Sequence, residues 1–221
     1  MTPKFSQAVD PVFEYVLQLL ARIDHGEAPS HEEEQIRIRK AIDAADARAG
    51  QTSEWKLAKY ALACWVDEVM DLAQWAGSKW WQDNTLEYHY FGRHNRSEEF
   101  YVRASEASAQ SQRDALEVYY LSVVLGFRGF YEDPHPVEEP TLTAERLMLP
   151  KTLRAWLDQT AAGIRLRGKP RLQPTGRMGP GAPPLERQSL MIGALLAGSV
   201  LAALVAIGCW LVFANPFEQL L

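Results

Sequence analysis

Cysteine is nearly absent from this chain: Cys64 and Cys209 are the only two in 221 residues. At most one disulfide can be written, and no cysteine-rich metal motif fits two thiols. Basic charge is scarce over most of the length. Residues 1–162 carry 17 Lys and Arg against 26 Asp and Glu, a net of −9. That argues against nucleic acid as a partner, because neutralising phosphate needs a basic face. The five histidines, His25, His31, His89, His94 and His135, contain no HExxH or other metal spacing. Gly126-Phe-Arg-Gly129 lacks the glycine-lysine frame and the preceding strand of a phosphate loop, and no Ser or Cys sits in a nucleophile elbow. Residues 1–30 include Lys4, Asp10, Glu14, Arg22, Asp24 and Glu27, with no apolar run of signal-peptide length. Catalytic and cofactor-binding constellations are therefore not visible.

What the chain does have is an apolar run at its far end. The 25 residues from Leu190 to Ala214 carry no charge. As a helix rising ~1.5 Å per residue they reach ~37 Å, enough to cross a hydrocarbon core of ~30 Å. Trp210 and Phe213 stand near one end, where an aromatic belt is expected, and Asn215-Pro216 follows as a stop. Arg165, Arg167, Lys169, Arg171, Arg177 and Arg187 precede the run and no Lys or Arg follows it. The positive-inside rule then places the N-terminal part in the cytoplasm, where a reducing environment suits Cys64 as a small buried hydrophobe. The expected organisation is a cytoplasmic helical domain over 1–165 and a basic linker over 166–188. A transmembrane helix over 189–214 and a short periplasmic tail over 215–221 complete it. Within the span, Ala194, Gly198, Ala202 and Ala206 recur every four residues and form a ridge of small side chains, a candidate surface for helix packing in the membrane. Gly168–Gln188 holds five Pro and four Gly, a composition that reads as a tether. Its basic residues are also suited to touch anionic headgroups.

The first 165 residues read as helical almost throughout. Asp10-Pro11 predicts a helix start, with Val12, Phe13, Val16, Leu17, Leu20 and Ile23 on one face and Gly26 after it. Ser30 and Glu33 form a capping-box pattern for a second helix, which runs to Gly50; its weak apolar face of Ile38, Ile42 and Ala45 suggests a peripheral position. Thr52 or Ser53 opens a third, whose stripe is Ala58, Leu62, Trp65, Val69, Leu72 and Ala76, ending at Gly77. Thr85 caps a short helix to Phe91, and Ser97 caps another to about Ala107. Arg113–Leu125 has the composition of a buried strand, but no second strand is visible to pair with it. It therefore reads as a central helix with Gly126 and Gly129 framing its exit. A last helical region runs from Thr143 to Ala162, split at Pro150.

Asp67, Glu68 and Asp71 lie within about one helical turn. Such carboxylates serve acid–base chemistry, cation binding or an ordinary ion-paired helix face. Trp55, Trp65, Trp75, Trp80 and Trp81 crowd one stretch; Trp65 belongs to the core stripe, and the last three flank a turn that they either lock or offer to a partner.

A run of motifs in order carries a resemblance. It begins with Tyr60-Ala-Leu-Ala-Cys-Trp-Val-Asp67-Glu68, then Trp75-Ala-Gly77, Trp80-Trp81 and Leu86-Glu-Tyr-His89-Tyr-Phe91. Glu98-Glu99-Phe100-Tyr101 follows, and Leu116 to Tyr131 closes it with Leu125-Gly-Phe-Arg-Gly129-Phe-Tyr131. In these the chain resembles the DotU/IcmH/TssL family of bacterial secretion-system proteins. It departs where Arg93-His94-Asn95-Arg96 replaces a glycine-rich pair, and at Phe130, where the family usually has a basic residue. Some members continue past the membrane into a peptidoglycan-binding domain; cell-wall binding by that route is not expected here.

The resemblance implies an all-α domain of two small bundles in a hook-like shape, without enzymatic activity or cofactors, in a type VI or type IVB secretion membrane complex. Implied partners are an IcmF/TssM-like inner-membrane protein, TssK-like and TssE-like baseplate components, an outer-membrane lipoprotein indirectly, and further copies of the chain. Asp67, Glu68, Gly126, Phe127, Gly129 and Tyr131 are the candidate protein-binding residues. If Asp67 and Glu68 meet a partner, charge reversal abolishes assembly and spares the fold; if they are structural, it unfolds the domain. The competing class is a tail-anchored metal-dependent hydrolase built on Asp67, Glu68, His89 and His94.

Overall fold

A computed structural model describes residues 1–132 and 139–167, within the unit Met1–Pro170. Its helices are α1 (Pro3–Asp24), α2 (His31–Ala49), α3 (Ser53–Leu72), α4 (Ser78–Asp83), α5 (Leu86–Phe91), α6 (Arg96–Ala109), α7 (Asp114–Val124), α8 (Pro140–Arg146) and α9 (Leu153–Arg167), with a 3₁₀ turn at Gly129–Glu132. No strand occurs among the described residues, and no helix among them is long and apolar enough to cross a membrane. The first two positions of the expected linker, 166 and 167, belong to α9; its remainder 168–188, the span 189–214 with Ala194, Gly198, Ala202 and Ala206, and the tail lie outside the described residues.

The axis of the unit is α3, not α7. It packs against α1, α2, α4, α5, α6 and α7. Burial extends well beyond the expected stripe, to Tyr60, Ala61, Ala63, Cys64, Val66, Asp67 and Met70. A helix enclosed on nearly every side needs no single apolar stripe, so periodicity under-reads it. Thr52 caps it by accepting the Trp55 N–H at 3.1 Å. The helix stops at Leu72, short of Gly77, which leaves Leu72 62% exposed and Ala76 outside the core.

Three helix starts differ from expectation: α8 begins at Pro140, three residues before Thr143, and the other two are those of α1 and α6. α1 begins at Pro3 and runs through Pro11. A proline inside a helix removes the N–H that would bond the carbonyl four residues back. Here that carbonyl, on Gln7, accepts instead from Arg48 Nη1 at 3.5 Å. The buried face of α1 contains Leu19, whereas Leu17 is exposed and Leu20 half-buried. α6 begins at Arg96, so Ser97 is not its cap. The Glu87 carboxylate, from α5, accepts the N–H groups of Asn95 at 3.3 Å and Arg96 at 3.2 Å. A helix start satisfied from another element leaves no local capping signature.

The starts of α2, α3 and α5 follow local chemistry. Ser30 accepts the Glu33 N–H at 3.4 Å, Gly50 ends α2 with φ +77°, and Ile38, Ile42 and Ala45 are buried against the rest of the core. Glu34 is buried beside them and bonds Tyr15 Oη, Arg22 at 2.9 Å and Arg37 at 3.1 Å. Those cations and the phenol hold its carboxyl below the usual range against the opposing effect of burial. Thr85 caps α5, and the last region splits into α8 and α9 around Pro150.

Trp55, Trp65, Trp81, Tyr60, Tyr119 and Phe100 are wholly buried. Large side chains of this kind stabilise by about 1.5–3 kcal/mol each when fully buried. Tyr119 carries a defect: its Oη is buried with no hydrogen-bond partner among the described residues. Removing an orphaned hydroxyl from a packed core relieves its desolvation cost. Tyr119→Phe is therefore expected to stabilise the domain by about 1 kcal/mol, read as a raised melting temperature; a lowered one contradicts the assignment.

Candidate functional site

Consecutive residues on a helix point about 100° apart. Asp67 and Glu68 accordingly leave α3 in different directions and hold different elements. Asp67 is wholly buried. Its Oδ1 accepts from Trp81 Nε1 at 3.0 Å and the Leu86 N–H at 2.7 Å, and its Oδ2 from the Glu87 N–H at 2.7 Å. One carboxylate thus ties α4 and the start of α5 to the axis. Burial pushes its pKa up to about 6, opposed by the Glu87 and Leu86 N–H groups, Arg96 and Trp81.

Glu68 reaches the exit of α7. That exit is a Schellman turn: the Phe127 N–H bonds Ser122 O at 2.9 Å and the Gly126 N–H bonds Val123 O at 3.2 Å. Gly126 and Gly129 hold φ of +118° and +56°. The reversed chain aims two N–H groups, of Arg128 and of Gly129 (3.1 Å), at Glu68 Oε1. Burial raises the Glu68 pKa, and those two N–H groups oppose the rise. Phe127 is buried and stacks on Phe100 at 3.8 Å, and Tyr131 Oη donates to Pro150 O at 2.6 Å. Five of the six candidate protein-binding residues therefore gather around one turn, with Asp67 directed elsewhere. Phe127 and Gly129 lie beneath the surface.

What faces outward is a cleft of ≈ 360 Å³ beside this turn. Glu68 and Gly129 form its inner wall; Asp71, Leu72, Arg96, Arg128 and Glu132 line it, as do His94 and Ser97. Arg96 Nη2 crosses to Asp71 Oδ2 at 3.0 Å, and Arg128 Nε pairs with Glu132 at 3.4 Å. Sequence reading singled out Asp71 but not Arg96, Arg128, Glu132 or Leu72 as site residues. No local signal marked Arg96, because the start of α6 that places it at the cleft is satisfied by Glu87 from another element.

The aromatic cluster serves the fold. Trp75 Nε1 donates to Met70 O at 3.1 Å and its ring lies over Gly77, where a Cβ would stand 2.5 Å from Trp75 Cη2. This locks the turn into α4. His94 stacks on Tyr88 at 4.6 Å, and His89 packs edge-on to Tyr90 at 4.8 Å. Among the described residues no group of three or more His, Cys, Asp or Glu is placed to hold a metal ion.

The family model for the type VI secretion system protein DotU matches residues 4–214. The chain belongs to the DotU family. It is thus a component of the type VI secretion system, in a family of inner-membrane-associated proteins. Among solved structures it is similar to the crystal structure of the type VI secretion protein SciP/TssL from enteroaggregative Escherichia coli 042. That likeness has 21% identity and a TM-score of 0.51, and covers 68% of this chain and 90% of that one. At that identity the likeness speaks for the helical fold. No match was found among the curated proteins.

Proposed function

We propose that this DotU-family chain is a structural, non-enzymatic scaffold of the type VI secretion membrane complex. Leu190–Ala214 anchors it in the inner membrane as a single span, with the helical domain in the cytoplasm and 215–221 in the periplasm. The domain takes an IcmF/TssM-like inner-membrane protein and TssK-like and TssE-like baseplate components as partners, and meets an outer-membrane lipoprotein indirectly. Self-association uses the small-residue ridge of the span.

The observation that carries the docking reading is how Glu68 and the α7 exit are used. Buried N–H bonds from Arg128 and Gly129 to Glu68 hold the inner wall of the cleft rigidly, while Leu72 stands 62% exposed at its rim. A preorganised wall with an exposed apolar rim suits a protein contact. The carboxylates of Asp67 and Glu68 are already engaged by N–H donors, which fits scaffolding better than hydrolysis.

Affinity purification of the full chain from native membranes in mild detergent, with mass spectrometry, tests this. Co-recovery of a large inner-membrane protein with baseplate components is expected, and its loss in Leu72→Asp with the melting temperature unchanged. Recovery of the chain alone, under conditions where a control membrane complex survives, overturns the scaffold. Full retention in Leu72→Asp overturns the cleft as its docking surface.

A further inference from the structure

We propose that the Arg96–Asp71 ion pair is an intramolecular latch across the cleft, displaced when a docking protein inserts a basic side chain. This rests on the reading of the cleft as partner-facing.

The latch has the parts such a device needs. Arg96 opens α6, where a cation opposes the helix dipole. The Glu87 carboxylate takes the backbone N–H groups at this start, and the guanidinium is held by Asp71 across the cleft. The Arg96 backbone is fixed independently, because its N–H donates to Glu87 Oε2 at 3.2 Å. Only the side chain has to swing. Asp71 is fixed independently too: its Oδ1 accepts from Gln82 Nε2 at 2.6 Å. The receptor carboxylate therefore stays in place when the guanidinium leaves.

The energetics favour exchange. Arg96 and Asp71 are 23% and 22% exposed, so the pair is neither sealed in the core nor free in solvent. Partly exposed pairs contribute little to stability and are replaced readily by an incoming charge. With Arg96 withdrawn and His94 neutral, the cleft presents Glu68, Asp71 and Glu132 against Arg128, a balance of −2. Arg128 is committed elsewhere, to Glu132 and to the carbonyls of Val123 at 2.8 Å and Phe127 at 3.1 Å. The slot already holds a guanidinium, so its geometry suits another one, presented by a protein whose apolar neighbour rests on Leu72.

The test uses the full chain in nanodiscs of zwitterionic phosphatidylcholine, with fluorescein-labelled octa-arginine as probe and octa-aspartate as control. Arg96→Ala is expected to bind octa-arginine about threefold to fivefold more tightly than wild type, the share of a partly exposed pair. Adding Asp71→Asn is expected to cancel the gain. Arg96→Gln serves as a second opening variant if Arg96→Ala melts lower than wild type. Equal or weaker binding by the folded opening variants overturns the latch, because a mere brace gives that result. A gain that persists with Asp71→Asn overturns it too, since the peptide then binds elsewhere. The docking reading stands or falls separately, on partner recovery by Leu72→Asp.

Discussion

Asp67→Lys is expected to destabilise the helical domain severely, not merely to break its assembly. Asp67 is wholly buried at the axis of the fold, with three N–H groups directed at its two oxygens. A lysine there brings three donors to three donors and a cation with no counter-charge at hydrogen-bond distance. Breaking a buried charge arrangement in this way costs about 3–5 kcal/mol, a large part of the ~5–15 kcal/mol that holds a domain together. Far-UV circular dichroism and a thermal melt of the full chain in detergent check this; a folded Asp67→Lys variant that only loses partners contradicts it. Glu68→Lys strikes the α7 exit and is expected to be milder, because Glu68 borders the cleft.

The same carboxyl sets a pH dependence. Its pKa in the fold is raised from 3.8 to about 6, chiefly by burial. The folded state therefore binds the proton more tightly than the unfolded chain. The stability that Asp67 contributes is fully present below pH ~4 and is lost as pH rises through ~6. Asp67→Asn does not titrate. The melting temperature of wild type relative to Asp67→Asn is thus expected to fall between pH 4 and pH 7; a constant difference contradicts the raised value.

Gly129→Ala is expected to cost about 2–4 kcal/mol, combining backbone strain with overpacking. Gly129 holds φ +56°, and a Cβ there would stand 2.7 Å from the Ser97 carbonyl oxygen and 3.0 Å from both Phe127 and Tyr101. The carbonyl belongs to the first turn of α6 and cannot move without shifting that helix. The wall that Glu68 braces would be pushed outward, so partner recovery should fall along with melting temperature. Gly163→Ala in α9 is the control, because a Cβ there meets nothing within 4 Å. In a helix interior that change is expected to be neutral or to stabilise by up to ~1 kcal/mol. Equal effects at the two glycines would contradict the steric account.

The amino-acid sequence by itself determined the helical class and the elements whose ends are signalled locally. Ser30 with Glu33 and Thr85 cap helices as read, and Thr52 is the one of the two residues read for α3 that does, because a side-chain oxygen two or three residues from an orphan N–H needs no help from the rest of the chain. The glycine exit after α7 is likewise a local matter of positive φ. The ordered motifs from Tyr60 to Tyr131 led to the family that the match over 4–214 establishes.

Tertiary structure decided what depends on contacts between distant residues. The α6 start rests on Glu87 and the passage of α1 through Pro11 on Arg48, and neither partner is near in sequence. The centrality of α3 was hidden because a helix buried all round has no polar face to set its period. The adjacent acids Asp67 and Glu68 look alike in sequence, yet successive side chains diverge by about 100° on a helix. One therefore faces α4 and α5 in the core while the other reaches the cleft wall, and only the packed neighbours determine that difference.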